Sequence, residues 1–314
     1  MRYSLFVIAL GFVAIGACSS LNDPSTGQSA KNEESQHVHL GPRPFALVAA
    51  MADSPLKKKL LECANTKQQA HPFSIGHRGA PMQFPEHTKE SYLAAARMGA
   101  GVLECDVTFT ADNQLVCRHS QCDLHTTTNI LATDLAQKCS EPFSPVKDGQ
   151  SAHAKCCTSD ITLAEFKTLK GKMDGANTEA TNIDDYMAGT PNWRTDLYTQ
   201  QGTLMTHAES IALFRSLGVH MTPELKTPEV AMPHNGMSQR QYASKMLEEY
   251  NQAGVSAKRV WPQSFNHADV LYWLSAHPDI APQAIYLDGR DELATFDPSN
   301  AATWSPTMTE LAQQ

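Results

Sequence analysis

The run Val102-Leu103-Glu104-Cys105-Asp106-Val107 sets two carboxylates two residues apart inside an otherwise apolar stretch. Side chains alternate across a strand, so Glu104 and Asp106 project to one face. Two like charges on a buried face repel and lose hydration, and a divalent cation with oxygen ligands relieves both penalties. The competing reading of this pair is carboxylates that face solvent or bond to Lys and Arg. Met221-Thr222-Pro223-Glu224-Leu225-Lys226 repeats the pattern. There Glu224 offers a third oxygen ligand and Lys226 a fixed positive charge for a phosphate, although an isolated Glu-x-Lys is more often a plain ion pair. In His77-Arg78-Gly79 the guanidinium is a planar fork suited to phosphate oxygens, Gly79 permits a tight turn, and His77 can exchange a proton near neutral pH. His119, after Arg118, is a second histidine at the end of a strand-like run. Either histidine alone reads as structural; two of them beside three acidic groups point to general acid–base chemistry.

These residues need a frame that brings distant strand ends together. Hydrophobic patterning predicts strands over 73–77, 101–110, 115–119, 219–225, 259–265 and 284–287. Helices are expected over 55–70, 89–98, 163–169, 206–217, 239–253 and 267–275. Short apolar strands alternating with helices argue for βαβ units and a parallel sheet. His77, His119 and Glu224 all fall at C-terminal strand ends, the rim where a TIM-type (β/α)8 barrel carries its chemistry. Polar stretches near 134–160 and 171–201 read as insertions.

The N-terminus pairs Arg2 with an apolar run from Leu5 to Ile15, too short to cross a bilayer and suited to an export signal. Ile15-Gly16-Ala17-Cys18 resembles the lipobox of bacterial lipoproteins, which implies lipidation at Cys18 and, with Ser19 following, an outer-membrane location. The expected layout is a signal over 1–18, a flexible tether over 19–44 and a catalytic domain over 45–314. A net charge of -8 and the lack of a Lys/Arg stripe exclude nucleic acid as a partner. Of the eight cysteines, seven remain beside Cys18, so one must stay free or pair between chains. Cys105 and Cys117 read as small core residues, and bridges are expected among Cys122, Cys139, Cys156 and Cys157.

Taken in order, Ile75-Gly76-His77-Arg78-Gly79-Ala80, Pro85-Glu86-His87-Thr88, Leu103-Glu104-Cys105-Asp106-Val107, Arg118-His119 and Glu224-Leu225-Lys226 resemble the motifs of the glycerophosphodiester phosphodiesterase family, over residues 73–287. The resemblance implies a TIM barrel with Glu104, Asp106 and Glu224 ligating one Ca²⁺ or Mg²⁺, and His77 and His119 as the acid/base pair. It further implies Arg78 and Lys226 on the phosphate, Glu86 supporting them by hydrogen bonding, and a glycerophosphodiester as substrate. The family's PENT reads PEHT here, which puts His87 behind the ligands. The His-Asp of the family is His119-Ser120, with Asp123 as the candidate stand-in. Six strand-like runs before Gln314, where a closed barrel has eight, lead to the expectation of a truncated barrel lacking its last two strands, with its activity in question. Related barrels with the same acidic triad act on phospholipids, as sphingomyelinase D-like enzymes do, and a non-catalytic surface lipoprotein is the other alternative.

Overall fold

The computed structural model describes residues 38–64, 66–195 and 202–313. The expected signal, Cys18 and most of the expected tether lie outside them. Two short helices come first, α1 (Arg43–Ala50) and α2 (Pro55–Cys63). Helix α2 opens on Ser54, whose hydroxyl accepts the Lys57 N–H, with Pro55 in the first turn. It ends earlier than expected because the Thr66 hydroxyl and the Gln68 amide both bond the Cys63 carbonyl and turn the chain away.

Strand β1 (His71–Gly76), helix α3 (Lys89–Arg97), strand β2 (Ala100–Phe109) and strand β3 (Leu115–Cys117) follow. Between β3 and the next long helix the chain forms α4 (Leu124–Thr127), β4 (Glu141–Ser144), β5 (His153–Lys155), α5 (Leu163–Phe166), β6 (Lys170–Gly171), α6 (Ile183–Met187) and β7 (Gly202–Thr203). Helix α7 (His207–Leu217), β8 (His220–Leu225), α8 (Gln239–Gln252), β9 (Gln263–Ser264), α9 (His267–Ala276) and β10 (Ile285–Tyr286) resume the alternation.

The main sheet has six strands, five of them parallel in the order β1-β2-β8-β9-β10, which with their helices form a partial TIM-type barrel. The sixth corrects an expectation: the run ending at His119 is not another parallel strand, since β3 folds back antiparallel on β2 with Val107 opposite Cys117. A period-2 apolar pattern reports burial and is blind to strand direction. All ten residues of β2 are buried, as befits a strand covered on both faces. Its odd positions Leu103, Cys105, Val107 and Phe109 pack with Met221 and Leu225 of β8 against Tyr92, Phe214, Tyr242 and Met246 of the helices. Its even positions, Glu104 and Asp106, therefore face the barrel interior, as Glu224 does from β8.

Cys105 and Cys117 are buried in that core as expected, yet they are disulfide-bonded rather than free. Burial and bonding leave the same mark on a sequence, and only the antiparallel turn brings the pair within reach. The anticipated bridges form as Cys122–Cys157 and Cys139–Cys156, and among the described residues Cys63 is the free thiol. The segment between β3 and α7 has its own core, including Leu124, Ile130, Cys139, Cys156, Phe166 and Tyr186.

Candidate active site

Each element delivers its polar groups to the interior face of β2. After β1 the chain turns sharply: Arg78 has φ 60 and Gly79 φ 89. A Cβ on Gly79 would lie 2.4 Å from the Ser91 hydroxyl, so only glycine fits. The left-handed turn aims the Arg78 backbone N–H at Glu104 Oε2, 2.9 Å away, and its Nη1 at Glu86 Oε2, 3.0 Å away. His77 Nε2 lies 3.6 Å from Glu104 Oε2, with its ring largely in solvent. His87 also holds a left-handed conformation, φ 53, a strained state for a non-glycine residue of the kind that clusters at functional sites.

Fully buried, His87 bridges Tyr92 and Asp106, its Nδ1 2.9 Å from the phenol oxygen and its Nε2 3.0 Å from Asp106 Oδ2. Burial, reinforced by Arg118 and Arg78, pushes His87 well below the ordinary histidine range, so the ring is neutral. With Asp106 as acceptor, Nε2 carries the hydrogen and Nδ1 accepts from Tyr92. The contact is then a hydrogen bond rather than an ion pair.

Glu104, Asp106 and Glu224 each offer an oxygen within 4.8 Å of the others, all buried. Burial and mutual repulsion push Glu104 up to about 8, and burial raises Asp106 and Glu224 as well. Asp106 Oδ1 is buried with no hydrogen-bond partner. Three crowded carboxylates, one with an orphaned oxygen, fit a hard divalent cation with oxygen ligands. Lys226 Nζ bonds Glu224 Oε1 at 2.6 Å, so the plain ion pair does form, at the edge of the cluster.

His119 reaches this patch because β3 runs back along β2, with the Arg118 N–H donating to the Asp106 carbonyl at 2.8 Å. Burial, then Lys226 and Arg78, hold its imidazole down at about 4. Glu86, His119 and Asp123 offer ligand-type atoms within 4.8 Å of one another. Burial opposes the charge on Glu86, but the Arg78 and Arg118 guanidiniums outweigh it and hold the carboxyl down at about 2. Asp123 stands behind His119, accepting the Ser120 N–H at 3.1 Å and the Thr127 hydroxyl at 3.3 Å, with burial raising it to about 6.

The expected residues other than Cys18 thus converge. Two more belong with them. Gln263 on β9 donates to Glu104 Oε1 at 2.9 Å from a buried position. Arg118, fully buried, donates from Nε to the Cys117 carbonyl at 2.6 Å and from Nη2 to the Glu86 carbonyl, locking the His119 strand to the Glu86 turn. The signal for Gln263 was its register, since a polar side chain opposite Glu224 on a short inner strand faces the same interior.

The site thus sets an acidic cluster beside Arg78, His77 and His119 on a partial (β/α) barrel. A model of the glycerophosphoryl diester phosphodiesterase family matches residues 77–303, and the chain belongs to that family. An extracellular protein of Arthroderma benhamiae is 43% identical over 143 residues, 45% of this chain and 57% of its own. A glycerophosphodiester phosphodiesterase of Haemophilus influenzae is 30% identical over 168 residues, 52% of this chain and 42% of its own. The chain thus matches about half the length of these relatives. Among solved structures, an Oleispira antarctica phosphodiesterase in complex with sn-glycerol-3-phosphate is 22% identical, with TM-score 0.43, over 68% of this chain and 66% of that one.

Proposed function

We propose that the chain hydrolyses glycerophosphodiesters to glycerol 3-phosphate and an alcohol, with one divalent cation, Ca²⁺ or Mg²⁺, and two histidines as proton carriers. The observation that carries this reading is three buried carboxylates within 4.8 Å of one another on the patch that also receives Arg78, Lys226 and His119. Glu104, Asp106 and Glu224 are the residues that would hold the cation. When bound, it supplies positive charge against the phosphoryl oxygens.

Arg78, fixed by Glu86 and with its Nε 4.0 Å from Asp106 Oδ2, offers its guanidinium to the phosphate, and Lys226 adds a second cation. His119, kept neutral by its surroundings, takes the proton of the glycerol 2-hydroxyl as that oxygen attacks phosphorus in line. His77, beside Glu104 and open to solvent, protonates the departing alcohol. Water then opens the cyclic phosphate with the roles reversed. Glycerophosphocholine hydrolysis should need added metal and stop with EDTA. His77→Ala and His119→Ala should each lower turnover by roughly 10²–10⁴ while the metal still binds; full turnover in both variants would sink the assignment.

We also read the chain as exported and lipid-anchored through Cys18 to the bacterial envelope, at the outer membrane. Three disulfides among the described residues support an oxidising compartment. Mass spectrometry of the mature N-terminus tests this, and an unmodified Cys18 would remove the anchor.

A further inference from the structure

The two helices that precede β1 bury none of their residues. They are 8 and 9 residues long, short of the roughly 12–15 at which a helix holds in water unaided. Helices of this length draw stability from an apolar surface laid along one face. Their large apolar side chains are instead open: Phe45, Leu56, Leu60 and Leu61 are 37–57% exposed. Phe45 and Val48 of α1 meet Leu60 and Leu61 of α2 around one groove of about 180 Å³, so the two helices share a face.

The charge around this face points to its partner. Residues 43–67 carry five Lys and Arg against two acidic groups, Asp53 and Glu62, in a chain of net charge -8. Lys57 bonds the Met51 carbonyl at 2.8 Å and Asp53 at 3.2 Å, which ties α2 to the end of α1 and neutralises that acid. Lys58 and Lys59 are exposed and pair with no acidic group among the described residues. By helical spacing Leu56 and Leu60 form one stripe, Lys59 borders it, and Lys58 stands a further step round. Leucines edged by ammonium groups on long stems suit a lipid interface, with the leucines in the acyl boundary and the lysines at anionic headgroups. A second copy fits worse. Two helices of this length present roughly 300 Å², against about 800 Å² per partner in a stable dimer. A two-fold contact also brings each lysine pair towards its own counterpart.

We propose that α1 and α2 form a docking face for an anionic lipid bilayer, with Phe45, Leu56, Leu60 and Leu61 in the acyl boundary and Lys58 and Lys59 on the headgroups. The inference goes beyond the proposed hydrolysis and needs no acyl group on Cys18. Vesicle flotation reads it on the chain from residue 18 carrying Cys18→Ser, so that neither an export signal nor an anchor contributes. Vesicles of phosphatidylcholine with phosphatidylglycerol should carry the protein, and pure phosphatidylcholine should carry far less. Salt at about 1 M, which screens beyond about 3 Å, should shrink that difference. Lys58→Gln with Lys59→Gln should weaken binding to the anionic vesicles by about 5- to 25-fold. Leu56→Asp with Leu60→Asp should lower it by about a hundredfold, with near-UV circular dichroism unchanged because both positions are exposed. Phe45→Trp gives a second reading, since brominated lipid should quench its fluorescence beyond that of the wild type. Absence of vesicle binding, equal binding to the two lipid mixtures, or no added quenching overturns the proposal. So does a leucine double variant that floats like the wild type. A wild-type dimer that the same variant dissociates assigns the face to a second copy and overturns it too.

Discussion

The two regions that meet at the site are built by different means. The barrel arc holds Glu104, Asp106 and Glu224 through backbone register, on strands buried from both sides. The segment between β3 and α7 has short helices, two-stranded pieces and a smaller core, and two disulfides converge there on the adjacent Cys156 and Cys157. Next to His119, its Asp123 accepts the Ser120 N–H at 3.1 Å, and Glu229, after β8, holds its Cys122 N–H at 3.2 Å. Carboxylates crowded against their own repulsion sit on the strand lattice. His119, the proposed proton carrier, sits at the junction between that lattice and a covalently stapled cap.

Removing the staples is the strongest way to break this contrast. Loop-closure entropy assigns about 4 kcal/mol to Cys122–Cys157, at a separation of 35, and about 3 kcal/mol to Cys139–Cys156, at 17. That sum is comparable to the whole stability of many domains. With all four cysteines changed to Ala, limited proteolysis should cut between residues 120 and 195 while β1, β2 and β8 stay protected. The Cys105→Ala/Cys117→Ala variant should keep both regions folded, because β2 remains packed on both faces. Early cleavage of the arc in the four-cysteine variant would show that the regions are one cooperative unit.

Acidity should act on the two regions with opposite sign. Folded Glu104, at about 8 against 4.5 for the free side chain, binds a proton that the unfolded chain has released. Its contribution to metal-free stability is therefore lost as pH rises from 4.5 through 8. In the cap, burial first, then Lys172 and Lys155 against the pull of Glu229, hold His125 down at about 4, and His119 is held at about 4 as well. Folded values below 6.5 mean stability present above 6.5 and lost as pH falls toward 4, partly offset below pH 6 by Asp123, whose value is raised. Hydrogen exchange on metal-free protein should show the arc loosening at pH 8 and the cap at pH 5, and Ca²⁺ or Mg²⁺ should restore the arc alone. Metal that protects neither region would remove the carboxylate cluster as its binding site.

The same division governs what the sequence made legible. In β2 and β8 the face of each residue follows from parity, so Glu104, Asp106 and Glu224 were readable as one inner patch. Helices such as α8 and α9 were legible from hydrophobic patterning, and the structure caps them with Ser238 and Asn266. The direction of β3 was not readable, because three apolar residues pack equally well in either sense. Nor was the Cys105–Cys117 bond, nor helix α1, which buries none of its residues. Gln263 escaped because a neutral amide on a two-residue strand carries no charge pattern. Inside the cap, contacts such as Gln121 to Thr158 at 2.9 Å join residues 37 apart and follow no period at all.

The smallest effect isolates how the arc supports its ligands. Tyr92→Phe removes only the hydroxyl that donates to His87 Nδ1 and leaves that nitrogen buried without a partner. The expected loss is about 1–3 kcal/mol of stability. With its ring less firmly held, His87 orients Asp106 Oδ2 less well, so metal affinity should fall by about tenfold, the lower bound for losing an outer partner of a ligand. Exchange in the cap should not change, since Tyr92 packs on Phe214 with ring centroids 4.8 Å apart, inside the arc core. A variant with unaltered metal affinity but a loosened cap would mean that the Tyr92-His87-Asp106 chain braces the junction rather than the ligand. Asp106 would then owe its position to the β2–β8 register alone.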